Sequence, residues 1–567
     1  MTPFASRYFS GFTNSSCTTV SLDESEGLVI GHLFTRQDEP KTVVDVDRAT
    51  SRRITQSRGG KLLESFWGGY IAVLESERGI EVIRDPSGAF PCYYCKSTTY
   101  DAYIFASDLE TLVASGAYMP AINWSWMTRH LMAFDLRSPE TGFIGLFELL
   151  AGTRISIDRE RHAVESCWTP WDYTGRADNL TFEDASEQLR ATVEGSVRAW
   201  GNSFGHVLLG VSGGLDSSIL ASVLSRSSTR TTYYTMATDE AKGDERRYTR
   251  ILADALGVEV IEAFHSLQNV DLTRPSAVHL PRPILPAYGQ SATQTKQRIA
   301  LENSTDAFFT GIGGDNVFCY IQSATPLIDR FKIDGFSGAF ETLDDICRMT
   351  GCSVWDALGM AIKRARRPDA GYEWHPEARF LNPAATPAGG LEFTHPWLLA
   401  PAFALPGKAV HVSMLVRIQG TIDGFPRTMP PQINPLLSQP IIEFCLGIPS
   451  WRWSSEGRNR SVARKAFENL LPPAIVNRKS KGGPASFACD VVESNKAILR
   501  DFLLGGLLAQ HNLIDRTTLE TALSPTSIIR APDHVRLSAL AEAEAWIRHW
   551  CRPLAPRVLH PKVVTAA

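Results

Sequence analysis

Several features that would have settled the protein's class at once are scarce here. Ten cysteines in 567 residues, scattered at 17, 92, 95, 167, 319, 347, 352, 445, 489 and 551, are too sparse for a disulfide-built secreted fold and read as reduced thiols. Cys92 and Cys95 form a CxxC, but no second pair stands where a four-ligand zinc site needs one. Long apolar runs are missing as well. The most apolar stretch, 397–416, is broken by Pro401, Pro406 and Lys408, which argues against a membrane span. The first residues show no basic segment followed by an apolar run, so the expectation is a soluble, cytoplasmic protein. Neither sign of charge dominates. With 57 basic against 61 acidic residues the net charge is -4, and no nucleic-acid or anionic-membrane partner is written into that total.

What is present describes an ordinary folded chain. Hydrophobic residues make up 44% and charged residues 21%, enough apolar material for sizeable cores, and the length exceeds what one core supports. Two domains are expected, 1–175 and 176–567. The first is β-rich: LVIGHLF at 28–34, GGYIAVLES at 68–76, IEVIRD at 80–85 and YIFAS at 103–107 are short strands separated by turn residues. From Phe182 to Trp200 the period changes, placing Ala185, Leu189, Val193 and Val197 on one helical face. Strands near 207–211, 231–238, 258–264 and 306–315 then alternate with helices, which predicts an α/β domain with a parallel sheet. Beyond about 340 the pattern is mostly helical.

Chemistry concentrates where that sheet ends. Ser212-Gly213-Gly214-Leu215-Asp216-Ser217 joins a buried strand to a helix, so backbone N–H groups and the positive helix end can approach phosphate. Ser212 and Ser217 add hydroxyls, and Asp216 can hold a magnesium ion. No lysine lies inside the loop, unlike the loops of γ-phosphate-transferring enzymes, which shifts the expectation to cleavage between the α- and β-phosphates of ATP. The bland alternative is a tight turn with no ligand. Thr310-Gly311-Ile312-Gly313-Gly314-Asp315 repeats the arrangement on another strand, and two such loops make a magnesium-pyrophosphate clamp between Asp216 and Asp315. Near the C-terminus, Arg478, Lys479 and Lys481 flank Gly482-Gly483, either to stabilise developing negative charge or as a solvated basic loop.

These segments, in this order, resemble the asparagine synthetase superfamily. FWGGYIAVLES at 66–76, IRDPSGAFPCYY at 83–94 and IFASDLETL at 104–112 are similar to its N-terminal class II glutamine amidotransferase-type (Ntn-type) domain. NPLLSQPIIEFCLGIP at 434–449 and GRNRSVARKAF at 457–467 resemble its helical C-terminal part. The resemblance implies ATP and Mg2+ as cofactors and Ser212 to Ser217 around the phosphates. It also implies Met236, Gly311 and Gly313 beside the nucleoside and loop, and Lys481 as the charge-stabilising lysine with Lys479 competing. The chain departs from the pattern at Met1-Thr2-Pro3, where the amidotransferases carry a cysteine nucleophile, so glutamine hydrolysis is expected to be absent. It departs again at Ile312, where β-lactam synthetases carry tyrosine and asparagine synthetases glutamate, and at Pro431 and Ser438, where the family carries acids. Asn316 likewise stands in place of a glutamate. With these departures the chain looks most like a lasso peptide cyclase. That likeness implies an isopeptide (macrolactam) bond between the N-terminal amine of a core peptide and an Asp or Glu side chain within it, with a leader peptidase and a leader-binding protein as partners. A β-lactam synthetase-like or ammonia-dependent asparagine synthetase-like ligase is the alternative enzyme, and a catalytically silent binding protein the alternative from another class.

Overall fold

The computed structural model describes all residues except 1, 6–7, 14–16, 24–26, 77–78, 98–100, 159–161, 177–178, 239–242, 285, 368, 386–391, 481 and 553–567. In the N-terminal part, six antiparallel strands lie in the order His162–Ser166, Thr153–Asp158, Gly79–Arg84, Phe66–Ser76, Gly27–Thr35 and Thr19–Leu22. Period-2 alternation along Phe66–Ser76 decides both faces. Tyr70, Ala72 and Leu74 pack with Ile54 and Leu62 from the helices Arg48–Gln56 and Gly60–Ser65. Ile71 and Val73, on the other face, meet Tyr94 and Leu149. Those two belong to the neighbourhood of a three-stranded antiparallel sheet of Tyr103–Ala106, Tyr93–Lys96 and Phe147–Glu148.

The helix Phe182–Gly201 follows, with Ala185, Leu189, Val193 and Val197 fully buried, as their spacing predicts. Five parallel strands then form a sheet in the order Val260–Phe264, Arg230–Ala237, His206–Gly210, Ala307–Phe309, Gln432–Ile433. The chain moves outward from His206–Gly210 for two strands and returns to its other side with Ala307–Phe309. Such a reversal opens a crevice at the carboxyl ends of the two adjacent strands. The strand expected over 306–315 is only three residues long, because Gly311, Gly313 and Gly314 leave the sheet at once. The remaining helices include Thr325–Thr350, broken at Gly335, and Ala531–Cys551. No helix among the described residues is long and apolar enough to cross a membrane.

The boundary expected near 175 falls between the turn Pro170–Tyr173 and the helix Phe182–Gly201. Apolar packing runs across it: Phe34, Trp67 and Trp168 share a core with Val193, Leu209 and Phe309. Ion pairs cross it too. Glu148 is buried with Arg84 at 2.7 Å, Arg137 at 2.9 Å and Arg282 at 2.7 Å, and Asp423 pairs with both Arg137 and Arg282. Burial alone would raise the Glu148 pKa, but the three guanidiniums hold it well below the usual carboxylate range.

Candidate active site

Both glycine loops sit in the crevice that the sheet topology opens, on strands paired Leu209 to Phe309. The first loop turns at Gly213 with φ +61°, where a Cβ would come within 2.4 Å of Tyr248 Cβ. Only glycine fits that backbone and that approach. The loop's own hydroxyls brace it. Ser217 Oγ accepts from the Ser212 N–H at 3.1 Å, and Ser212 Oγ accepts from the Gly214 N–H at 3.3 Å. The helix Leu215–Leu224 starts immediately after Gly214 and presents its amino end to the crevice.

The second loop is tied to the last strand. Thr310 Oγ donates to Asn434 Oδ1 at 2.6 Å and accepts from the Ile312 N–H at 3.2 Å. The short helix Gly314–Val317 carries Asp315. The loops touch where they lack side chains: a Cβ on Gly311 would lie 2.7 Å from the Ser217 nitrogen, and one on Gly314 would lie 2.3 Å from Asp216 Cγ. Asp216 and Asp315 are thereby brought together, and a single guanidinium nitrogen, Arg460 Nη1, donates to Asp216 Oδ1 at 2.9 Å and Asp315 Oδ1 at 2.6 Å. Arg460 takes a left-handed backbone (φ +53°) at the start of the helix Ser461–Phe467, and its guanidinium faces the Tyr320 ring at 5.2 Å. A cation held at one point by two carboxylates from different loops shows that the pair suits a positive charge. Among the described residues no third His, Cys, Asp or Glu joins them. A magnesium ion here would have to complete its shell with phosphate oxygens and water, as magnesium usually does.

The basic segment divides. Arg478 is nearly buried behind the first loop, donating to the Ser212 carbonyl at 3.0 Å and to Glu245 Oε1 at 2.7 Å while stacking 4.0 Å over Tyr248. Glu245 also accepts from the Gly482 N–H at 3.2 Å, so one carboxylate at the start of the helix Arg246–Leu256 holds the basic segment at two points, while Arg478 links that segment to the phosphate loop. Lys479 is exposed and lines a cleft of about 440 Å³ with Tyr320, Asn459 and Arg478. Lys481 lies outside the described residues. Met236 lies next to last in its strand, toward the carboxyl end of the same sheet, its side chain packed against the cluster that holds Leu208 and Phe308. Gly313 (φ +93°) caps the short helix of the second loop.

Ile312, on the second loop, is 42% exposed and presents an aliphatic side chain. Ser438 is fully occupied, donating to the Pro435 carbonyl at 2.7 Å and accepting from Trp200 at 3.0 Å, and the Pro431 carbonyl accepts from the Phe308 N–H. Arg460 and Glu245 were not singled out by sequence reasoning. Arg460 lies 244 and 145 positions from its two aspartates, and nothing local in GRNRSVARKAF distinguishes it from Arg458 or Arg464.

The asparagine synthase family model matches residues 188–387 and 433–548, which takes in both loops and the basic segment; the chain belongs to the asparagine synthase family. That family comprises ATP-dependent carbon–nitrogen ligases that form AMP. Solved structures of low similarity match as well, two of them as follows. One, described as the allosteric regulatory enzyme of purine biosynthesis, is 12% identical over 46% of this chain and 63% of its own, with a TM-score of 0.17. The other, glutamine phosphoribosylpyrophosphate amidotransferase from B. subtilis complexed with ADP and GMP, is 13% identical over 45% and 64%, also with a TM-score of 0.17. The chain therefore spans less than two thirds of the length of either, and a likeness this slight carries nothing about function. No curated protein matches.

Proposed function

We propose that the chain is an ATP-dependent macrolactam synthetase of the lasso peptide cyclase type. It transfers AMP to an Asp or Glu side chain of a core peptide, then joins that activated carbonyl to the peptide's own N-terminal amine, releasing AMP and pyrophosphate. The observation that carries this reading is Ile312: this exposed residue of the second loop has a side chain that can neither accept nor donate a proton. Pro431 and Ser438, the other places where the family keeps acids, are engaged in backbone and side-chain hydrogen bonds of the fold. A reaction whose nucleophile needs little help from a base suits such a site. A peptide α-amine, with a pKa near 8, is partly neutral at neutral pH.

In this reading Ser212 to Ser217 receive the pyrophosphate half of ATP, and the edge at Met236 and Gly311 receives the nucleoside. Asp216 and Asp315 would hold magnesium, which when bound offsets charge on the leaving pyrophosphate. Arg478 keeps the first loop at its distance from the basic segment. Lys481 or Lys479 stabilises the charge on phosphorus and on the tetrahedral carbon. The remaining demand is that the peptide's two ends meet, and binding supplies that ordering. A leader peptidase and a leader-binding protein would deliver the leader-free peptide.

The test is mass spectrometry of leader-free candidate peptides incubated with the protein, ATP and magnesium. The expected product has lost one water, and fragmentation places an isopeptide at Asp or Glu. AMP formation with every peptide remaining linear, and an added amine captured instead, would assign the chain to intermolecular amide synthesis.

A further inference from the structure

A second cluster of reactive side chains lies away from the phosphate loops. Cys489, on the helix Ala485–Ser494, places Sγ 3.2 Å from His534 Nδ1, on the helix Ala531–Cys551. The other ring nitrogen, His534 Nε2, lies 3.5 Å from Glu493 Oε1, one turn along from Cys489. Lys496 reaches the same carboxylate at 3.1 Å and is itself tied to the Ser527 carbonyl at 2.7 Å. His534 is buried, Cys489 is partly exposed and Glu493 is open to solvent. Partial desolvation works against its charge, but the Lys496 contact keeps the Glu493 carboxyl below its ordinary range. A thiol on one imidazole nitrogen with a carboxylate near the other is the arrangement that converts cysteine to thiolate and imidazole to imidazolium.

We propose that Cys489 is a nucleophilic thiol, activated by His534 and oriented through Glu493, and that it is a site of covalent modification by soft electrophiles or peroxide that loosens the phosphate loop. The thiolate would displace the leaving group of an alkylating agent, forming a carbon–sulfur bond. With hydrogen peroxide it would attack one oxygen, giving the sulfenic acid and hydroxide, the peroxide being the oxidant. The coupling follows the chain. The Cys489 helix begins just after Gly482-Gly483, Gly482 is bonded to Glu245, and Glu245 and Ser212 share Arg478. An adduct at Cys489 wedges this helix from Ala531–Cys551 and strains that sequence of bonds at its near end.

The experiment follows iodoacetamide labelling of Cys489 by peptide mass mapping from pH 5 to 10. The expected midpoint lies at least one pH unit below the ordinary thiol value of about 8.5. Glu493→Gln, at an exposed position, should move it upward, and His534→Gln should return it to about 8.5 or above. A wild-type midpoint at or above 8.5, or a midpoint unmoved in both variants, overturns the activation. Magnesium-pyrophosphate affinity, measured by calorimetry before and after labelling, should fall at least tenfold in the wild type and stay unchanged in labelled Cys489→Ser. Equal affinities for labelled and unlabelled wild type overturn the coupling. The labelling arm does not depend on the proposed cyclase activity, so its failure is separable from failure of that reading.

Discussion

Gly314→Ala isolates the contact between the two loops. The new Cβ would stand 2.3 Å from Asp216 Cγ, 2.6 Å from its Cβ and 2.7 Å from its Oδ1. Ordinary contact begins at 3.4 Å, so the carboxylate must retreat by about 1 Å. Gly314 opens a short helix and is absent from the left-handed region, so alanine suits its backbone. Alanine's helix preference contributes roughly 0.5–1 kcal/mol, against a local repacking cost of about 1–3 kcal/mol. The fold should therefore lose no more than about 2.5 kcal/mol. A misplacement of about 1 Å at a catalytic group costs on the order of 10²-fold. Calorimetric titration with magnesium pyrophosphate and the initial rate of AMP formation should both show losses of that order, while the melting temperature moves by a few degrees. Gly213→Ala provides the contrast: its Cβ meets the Tyr248 carbonyl carbon at 2.7 Å from a φ of +61°, so it should lose stability first. Wild-type affinity and rate in Gly314→Ala would refute the claim that Asp216 is positioned by this contact.

Three further outcomes are expected. Lys296 lies between Phe425 and Phe308, its ammonium 4.6 and 5.5 Å from the ring centroids, and burial lowers its pKa from 10.5 to about 8. A lysine whose folded pKa is depressed costs stability below that value, and the cost fades as pH rises from 8 toward 10.5. Lys296→Met should therefore stabilise by about 1–3 kcal/mol at pH 7 and by much less at pH 10, as read from denaturant melts; an equal gain at both would exclude titration as the cause. Glu148→Gln leaves three buried guanidiniums with one carboxylate fewer and should cost about 3–5 kcal/mol by the same melts, a loss under about 1 kcal/mol being incompatible with the network. Arg478→Lys cannot span both the Ser212 carbonyl and Glu245, so magnesium-ATP affinity should fall about tenfold with the fold intact, and unchanged binding would remove its bracing role.

The central elements were legible because their signals are local. Val207 to Val211 followed by Gly213-Gly214 is a buried strand meeting a turn, and the spacing of Ala185, Leu189, Val193 and Val197 is a helix face; both need only neighbours in sequence. The placement of Asp216 near Asp315 followed from alternating elements and parallel topology. Short strands such as Tyr93–Lys96 and Gln432–Ile433 escaped, since two to four residues carry no readable period and owe their conformation to the strand beside them. Arg460 escaped for the opposite reason: its partners are distant in the chain, and a cation's choice of carboxylate is made by tertiary packing. Arg478, grouped with Lys479 as a charge stabiliser, stands behind the loop in a strut-like position. An arginine's donors do not reveal from sequence whether they will meet a ligand or a carbonyl.

The most direct test of the central claim follows oxygen through the reaction. A core peptide whose acidic side chain carries oxygen-18 in its carboxylate is incubated with the protein, ATP and magnesium, and the nucleotide product is examined by mass spectrometry. Activation as an acyl-adenylate followed by attack of the N-terminal amine predicts one labelled oxygen in AMP for each ring closed, and none in pyrophosphate. Label in inorganic phosphate with ADP as the nucleotide product, or ring formation with unlabelled AMP, would contradict the account.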